Sequence, residues 1–293
     1  MGQLDTPSNA RRKVAFDFAA LWDDCVRQDS CHWLKAEDDL AFWERHASVY
    51  DQRTGGPGSA ARTVQLIRRH TRPNDTILDV GAGTGRLALP LSHHVREVTA
   101  LDHSPHMLDV LSRNAAAWRV QNIRAVQADW ADWRAYPHDI VIAAWSLYRQ
   151  PRLLDTMQKL VDATRRWLFI VTRITSWPPH RLIAGQIWPE RFANQVDMPA
   201  HLSFLGALWQ LGAHADLRIL QERRMFSGRT PTDLAALLAP TDASAAELIC
   251  FAEHLMPHLR RSQCGFVYRV VEPVAVILWR ADESHRRIPA SDE

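Results

Sequence analysis

The chain has 293 residues, 46% of them hydrophobic and 23% charged, with a net charge of +2 at pH 7. That length and balance suit a folded α/β domain with accessory helices and exclude a disordered or fibrous chain. A charge so close to zero gives no field to recruit nucleic acid or a membrane surface, and the longest apolar runs, 140–145 and 274–279, are too short to span a bilayer.

The four cysteines, Cys25, Cys31, Cys250 and Cys264, form no C-x-x-C pair, and the first residues, MGQLDTPSNARRK, carry no apolar stretch of signal length. A reduced, cytoplasmic location is expected. From Val14, the positions Val14, Phe18, Leu21, Trp22 and Cys25 keep helical spacing. A second helix runs through Leu40, Trp43, Ala47 and Tyr50, with Asp38 and Asp39 near its positive end. Thr54-Gly-Gly-Pro-Gly58 then breaks the chain. Residues 1–55 are therefore expected as a helical extension or lid. Ser59 is the expected cap of the next helix, which places Val64 and Ile67 on one face.

From here strands and helices alternate. Ile77–Val80 reads as a strand, followed by a helix over Thr84–His94 that Pro90 should kink. Glu97–Leu101 is a second strand. Ser104 and Pro105 are a cap and first residue, and Met107, Leu108, Leu111 and Ala115 point inward from the helix they start. Strands over Ile123–Gln127, Asp139–Ala144 and Trp167–Thr172 follow, with a helix over Leu153–Thr164. Such alternation implies a mostly parallel sheet covered on both faces.

The rhythm then loosens. Ser176–Pro179 reads as a loop, and a helix over Pro199–Leu211 ends at Gly212. Leu217–Gln221 is a sixth strand, and Thr230–Pro257 is helical with a break at Pro240. Phe266–Val271 and Val274–Trp279 read as two late strands, because Pro273 argues against one unbroken central strand. The domain proper is expected over 56–281, with a helical insertion at about 230–262 and a polar tail over 282–293.

The chemistry gathers around TILDVGAGTGRLALPLS at 76–92. A strand, a turn with Gly81, Gly83 and Gly85, and a helix make up the nucleotide site of open α/β sheets. Glycine lets the turn be sharp and lets a ligand approach the backbone. Three acids stand at successive strand ends: Asp79, Asp102 and Asp129. Asp102 suits both hydroxyls of a ribose. Asp129 suits an adenine amino group, with Trp130 beside it as a stacking surface. Asp79 suits an ammonium. One ligand carrying ammonium, ribose and adenine would use all three. The G-x-G-x-G spacing differs from the G-x-G-x-x-G fingerprint of dinucleotide sites.

These stretches resemble the class I S-adenosylmethionine (SAM)-dependent methyltransferases of the methyltransferase type 11, ubiquinone-menaquinone methyltransferase-like group. Asp79-Val-Gly-Ala-Gly-Thr-Gly85 is similar to the family's first motif, Ala100-Leu-Asp102-His-Ser-Pro-His-Met107 to its second, Gln127-Ala-Asp129-Trp130 to its third, and His138-Asp-Ile-Val-Ile-Ala-Ala-Trp-Ser-Leu-Tyr148 to its fourth. Trp43–Asp51 resembles the helix before the first motif that lines the donor pocket. The likeness covers residues 40–175 well. It implies a Rossmann-like fold with a seven-stranded mostly parallel sheet between helices, and SAM as cofactor. It implies donor contacts at Tyr50, Asp79, Gly81, Ala82, Gly83, Gly85, Asp102, His103, Met107, Asp129, Trp130 and Ala144. Trp43, Trp145, Tyr148 and Trp177 are candidates for the acceptor wall. The fourth motif, Ala143-Ala144-Trp145-Ser146, lacks the Asn-Pro-Pro-aromatic pattern of amino-group nucleic-acid methyltransferases.

A small-molecule acceptor is expected, with no nucleic-acid or membrane partner and the oligomeric state open, a homodimer being one option. The histidines and cysteines show no metal-ligand spacing, and no residue is assigned as a catalytic base. A non-catalytic SAM-fold partner or sensor is the alternative; a nicotinamide-dependent oxidoreductase is a weaker one.

Overall fold

In a computed structural model, residues 17–28, 36–148, 150, 152–174, 178–192 and 200–281 are described. The Val/Ile/Leu-rich runs form parallel strands because such runs are buried on both faces. They are β1 (Thr76–Val80), β2 (Glu97–Asp102), β3 (Ile123–Gln127), β4 (His138–Ala144) and β5 (Thr164–Arg173). Two long strands, β6 (Asp216–Gly228) and β8 (Gly265–Arg280), and a short β7 (Leu259–Ser262) complete an eight-stranded sheet. The order is β3-β2-β1-β4-β5-β8-β6, with β7 on β8. β8 runs antiparallel to β5 and β6. The chain leaves β1 toward β2 and β3 and returns to β4 on its other side, so the topological switch lies between β1 and β4, where such sheets bind ligands.

Alternate residues point to opposite faces. Leu78, Val80, Val141, Leu168 and Ile170 pack on one side with α1 (Phe18–Gln28), α6 (Leu153–Asp162) and α9 (Ala200–Gln210). Ile77, Ile140, Ile142, Phe169 and Val276 pack on the other with α3 (Ala61–Arg68) and α4 (Ala88–Ser92). Trp22 of α1 is fully buried, lies 4.7 Å from the Phe204 ring and donates its indole N–H to the Gln150 carbonyl. α2 (Ala36–Thr54) packs instead on α5 (Pro105–Ala117), through Ala47 against Met107 and Val110. No helix among the described residues is long and apolar enough to cross a membrane.

Several local expectations change. α4 has only five residues, so Pro90 falls in its first turn, where its missing N–H costs nothing, and does not kink a longer helix. Ser59 does not cap α3; its hydroxyl donates to the Gly56 carbonyl. The buried Glu222 of β6 takes that role, accepting from the backbone N–H of Arg62 and Thr63 and from the Thr63 hydroxyl. The two late strands are one, β8, which runs through Pro273. Pro273 pairs only with Gln221 of β6 and lies just past the last β5 pair, Arg173↔Val274, an edge-like place that proline tolerates. The sixth strand likewise extends to Gly228.

β6 and β8 thus outrun the sheet as a ribbon. α7 (Pro179–Ile187), α8 (Pro189–Phe192), α10 (Pro231–Leu238) and α11 (Ala245–Leu255) follow the expected loop or fill the expected insertion. Trp188, Phe251 and Leu255 form one small core there, and Phe226, Leu234 and Tyr268 another. α10 and α11 start at capping boxes, Thr230 with Asp233 and Ser244 with Glu247.

Candidate cofactor site

The glycine turn leaves β1 and is stitched at once to β2: the N–H groups of Gly81 and Ala82 both donate to the Leu101 carbonyl, at 2.8 and 2.9 Å. Gly81 has φ +72° and Gly85 φ +92°, a region closed to most side chains. A Cβ at Gly81 would overlap Ser146, whose hydroxyl donates to the Val80 carbonyl. A Cβ at Gly85 would press on Leu89. At Gly83 a Cβ would meet only the Met107 methyl, at 3.3 Å. The two outer glycines therefore answer to packing, and the middle one leaves the open surface of the turn.

Asp102, buried at the end of β2, ties this turn to the next helix. Its Oδ2 accepts from the Gly83 N–H at 2.8 Å and its Oδ1 from the Ser104 N–H at 2.9 Å. Each carboxylate oxygen has a second lone pair. His103 Nδ1 lies 3.6 Å from the same Oδ1. Asp79 is 2% exposed. It accepts from the backbone N–H of Ala88, the first residue of α4, and pairs with no basic side chain among the described residues. Burial first, and then the neighbouring Asp102 charge, raise its carboxyl to about 7. A buried carboxyl held back from ionising by want of a cation fits the ammonium of an amino acid.

Asp129 is exposed, and its Oδ1 accepts from the Ala131 N–H at 2.8 Å, closing a turn after β3. Trp130 is 5% exposed and packs into the core on the α6 side. Lys159 Nζ lies 4.7 Å from the centre of its ring and donates to the Trp130 and Ala131 carbonyls, so one ring face is already used. Its indole N–H has no partner among the described residues. Ala144 ends β4, and Tyr148 is 38% exposed beyond it. Trp43 packs beside Tyr50 against the Met107–Val110 cluster. Trp177 lies outside the described residues.

Three features escaped the sequence reading. Asp51 accepts from Thr84 Oγ1 at 2.5 Å and from Asn114 Nδ2 at 2.8 Å, while Asn114 also donates to the Thr84 carbonyl. This staples α2 to the turn and to α5. The signal was an acid in the last turn of a helix, where the dipole opposes it. Trp145 has φ +52° and donates its N–H to Val171. The Arg86 guanidinium stands 4.9 Å from the Trp145 ring and 5.8 Å from Tyr50. No cluster of potential metal ligands occurs among the described residues.

An open parallel sheet with a glycine turn at its switch point and acids at successive strand ends defines a Rossmann-like nucleotide-binding domain. Residues 77–168 match the family of methyltransferase domains. An uncharacterized protein of Haemophilus influenzae is 27% identical over 209 residues, which is 70% of this chain and 75% of that one. A 23S rRNA (uracil(1939)-C(5))-methyltransferase of Pseudomonas fluorescens is 28% identical over 130 residues, 39% of this chain and 29% of that one. Among solved structures, a Bacillus halodurans protein described as a candidate methyltransferase shares the fold with a TM-score of 0.51 at 14% identity, covering 76% of this chain and 99% of the other. The match places a SAM-dependent methyltransferase domain over residues 77–168, with SAM as its cofactor.

Proposed function

We propose that the protein moves the SAM methyl group to a small-molecule acceptor. In this reading Asp79 receives the ammonium of the donor, Asp102 its ribose hydroxyls and Asp129 the adenine amino group. Gly83 gives the backbone approach, and His103, Met107, Tyr50 and Ala144 complete the wall. α2, held by Asp51, is the lid over the donor. Residues 56–281 form the body that binds it. The donor supplies a methyl on an already activated sulfonium leaving group. What remains for the chain is to hold the nucleophile in line and keep water out. The reading assigns no catalytic base, and it includes the cytoplasmic location expected from the sequence.

The observation that carries the small-molecule reading is the wall beyond the turn. Tyr50, Arg86 and Trp145 stack there, and the β6–β8 ribbon with α7 and α10 stands over the strand ends. Incubation with methyl-labelled SAM and separate metabolite, RNA and protein fractions tests this. Label is expected in the low-molecular-weight fraction, and label confined to RNA or protein contradicts it.

A further inference from the structure

Beyond the wall, charge gathers on one face of the ribbon. β5 ends in Arg173, which pairs with Val274 of β8. Two-residue steps along β8 from Val274 reach Glu272, Val270 and Tyr268, on the same face. Across the ladder, Glu222, Arg224 and Phe226 of β6 share it. Val171, Val274 and Val276 of this face belong to the core under α3 and α4, so Arg173, Glu272 and Arg224 continue that face past the edge of the core. Arg224 ion-pairs with Glu272 and stands 5.8 Å from the Phe226 ring, and its buried Nε has no partner among the described residues. Arg86 enters from the glycine turn between Tyr50 and Trp145. Among the described residues it has ring faces for neighbours and no hydrogen-bond or ion-pair partner.

These groups sense one another. The charges that act on Arg173 are those of Glu272, Arg224, Tyr50 and Arg86. His180, in the first turn of α7, has its Nδ1 3.1 Å from the Tyr268 hydroxyl. Burial and the Arg181, Arg224 and Arg173 charges push it down to about 3, so it stays neutral. Arg224 pairs with Glu272, the ladder sets Arg173 on the same face, and the Arg86 charge acts on Arg173; the nearby Glu222 is used on α3 and Asp51 on the turn. Like charges brought together in a medium less polar than water repel strongly. A stacked guanidinium such as Arg86 keeps its planar N–H fork open at the edge, the geometry that suits carboxylate or phosphate.

We propose that Arg86, Arg173 and Arg224 receive an anionic group, carboxylate or phosphate, carried by the methyl acceptor. This rests on the small-molecule methyltransferase reading and narrows it to acidic acceptors. The donor has a carboxylate of its own, so the test must separate the two sources.

Calorimetry on the full chain does so. Inorganic phosphate is titrated into the S-adenosylhomocysteine-saturated protein. Wild type is compared with Arg86→Gln, with Arg173→Gln, and with Arg113→Gln on the exposed side of α5. S-adenosylhomocysteine and methylthioadenosine, which lacks the amino-acid end, are titrated into each. Phosphate is expected to bind wild type and Arg113→Gln alike and at least about 10-fold more weakly to the other two, with homocysteine-donor affinity unchanged. Phosphate should also raise the His180 pKa, read by imidazole NMR. Arg86 makes no hydrogen bond among the described residues, so its variant is expected to keep the fold. Phosphate that fails to bind, or binds all four proteins equally, overturns the proposal. So does a loss of S-adenosylhomocysteine but not methylthioadenosine affinity in the arginine variants, which would assign the arginines to the donor. If wild type binds neither nucleoside, the methyltransferase reading itself fails.

Discussion

Asp79→Asn tests the donor site through two observables that move in opposite directions. The carboxyl of Asp79 is raised from 3.8 to about 7 by burial and by Asp102. An acid whose folded pKa is raised disfavours the fold once it ionises. The penalty is absent below its unfolded pKa, grows through the interval and is complete above about 7. Its full size is about 4 kcal/mol. Asparagine cannot ionise, so the ligand-free variant should be more stable than wild type at pH 8, and the gain should shrink toward pH 4. A gain of only half that ceiling would raise Tm by about 4–8 °C in a chain of this size. Binding should fall at the same time. Removing one partner of a buried ion pair costs at least about 3 kcal/mol, roughly 100-fold in S-adenosylhomocysteine affinity. In wild type the ammonium must displace the Asp79 proton below pH 7, so affinity should climb with pH toward that value and then level off. In the variant this slope should vanish. Differential scanning fluorimetry and calorimetry across pH 5–8 measure both. An Asp79→Asn protein that binds like wild type, or is less stable at pH 8, refutes the assignment.

Asp51→Ala removes a charged acceptor from Thr84 and Asn114; about 2–3 kcal/mol of stability should go, with S-adenosylhomocysteine affinity reduced about 10-fold, measured by urea unfolding and titration. Gly81→Ala combines a disfavoured φ with overlap at Ser146; Gly81→Ala/Ser146→Gly should recover only the overlap share of the lost Tm, and full recovery would mean that the backbone is not strained. His138 is buried against Thr99 and Tyr136 and lowered to about 4, chiefly by burial. The unfolded chain takes its proton below about 6.5 and the folded chain does not, so stability should fall by up to about 3 kcal/mol between pH 6.5 and 4. His138→Gln should lack that component, and an unchanged wild-type-minus-variant difference across this range would contradict it.

The parallel core around the glycine turn was legible because it depends on short-range chemistry. Glycines with positive φ, acids at the ends of the first three strands and a Ser-Pro helix start are local demands, and the chain shows them in order. The Ser104 cap and the Gly212 stop fall where their residue types require. The late ribbon was hidden because β6 carries Gln221-Glu-Arg-Arg224 where a strand normally alternates apolar residues, and because Pro273 read as a break. Its tolerance there depends on which neighbour β8 lacks, a fact of pairing. α7 was hidden behind the prolines that start it. Trp130 looked like a stacking surface beside Asp129; the fold buries it and seats Lys159 on its ring. The charged face of the ribbon had no local signature, since Arg173, Arg224 and Glu272 come to one face only through the β5–β8–β6 ladder.

The most direct measurement is titration of S-adenosylhomocysteine into wild type and Asp102→Ala. Asp102 holds the turn and is the proposed ribose ligand. One site of micromolar affinity in wild type, weakened at least about 100-fold in Asp102→Ala, is the expected result. Absence of binding to wild type, or binding that Asp102→Ala leaves intact, would contradict a SAM site at the β1–β4 switch.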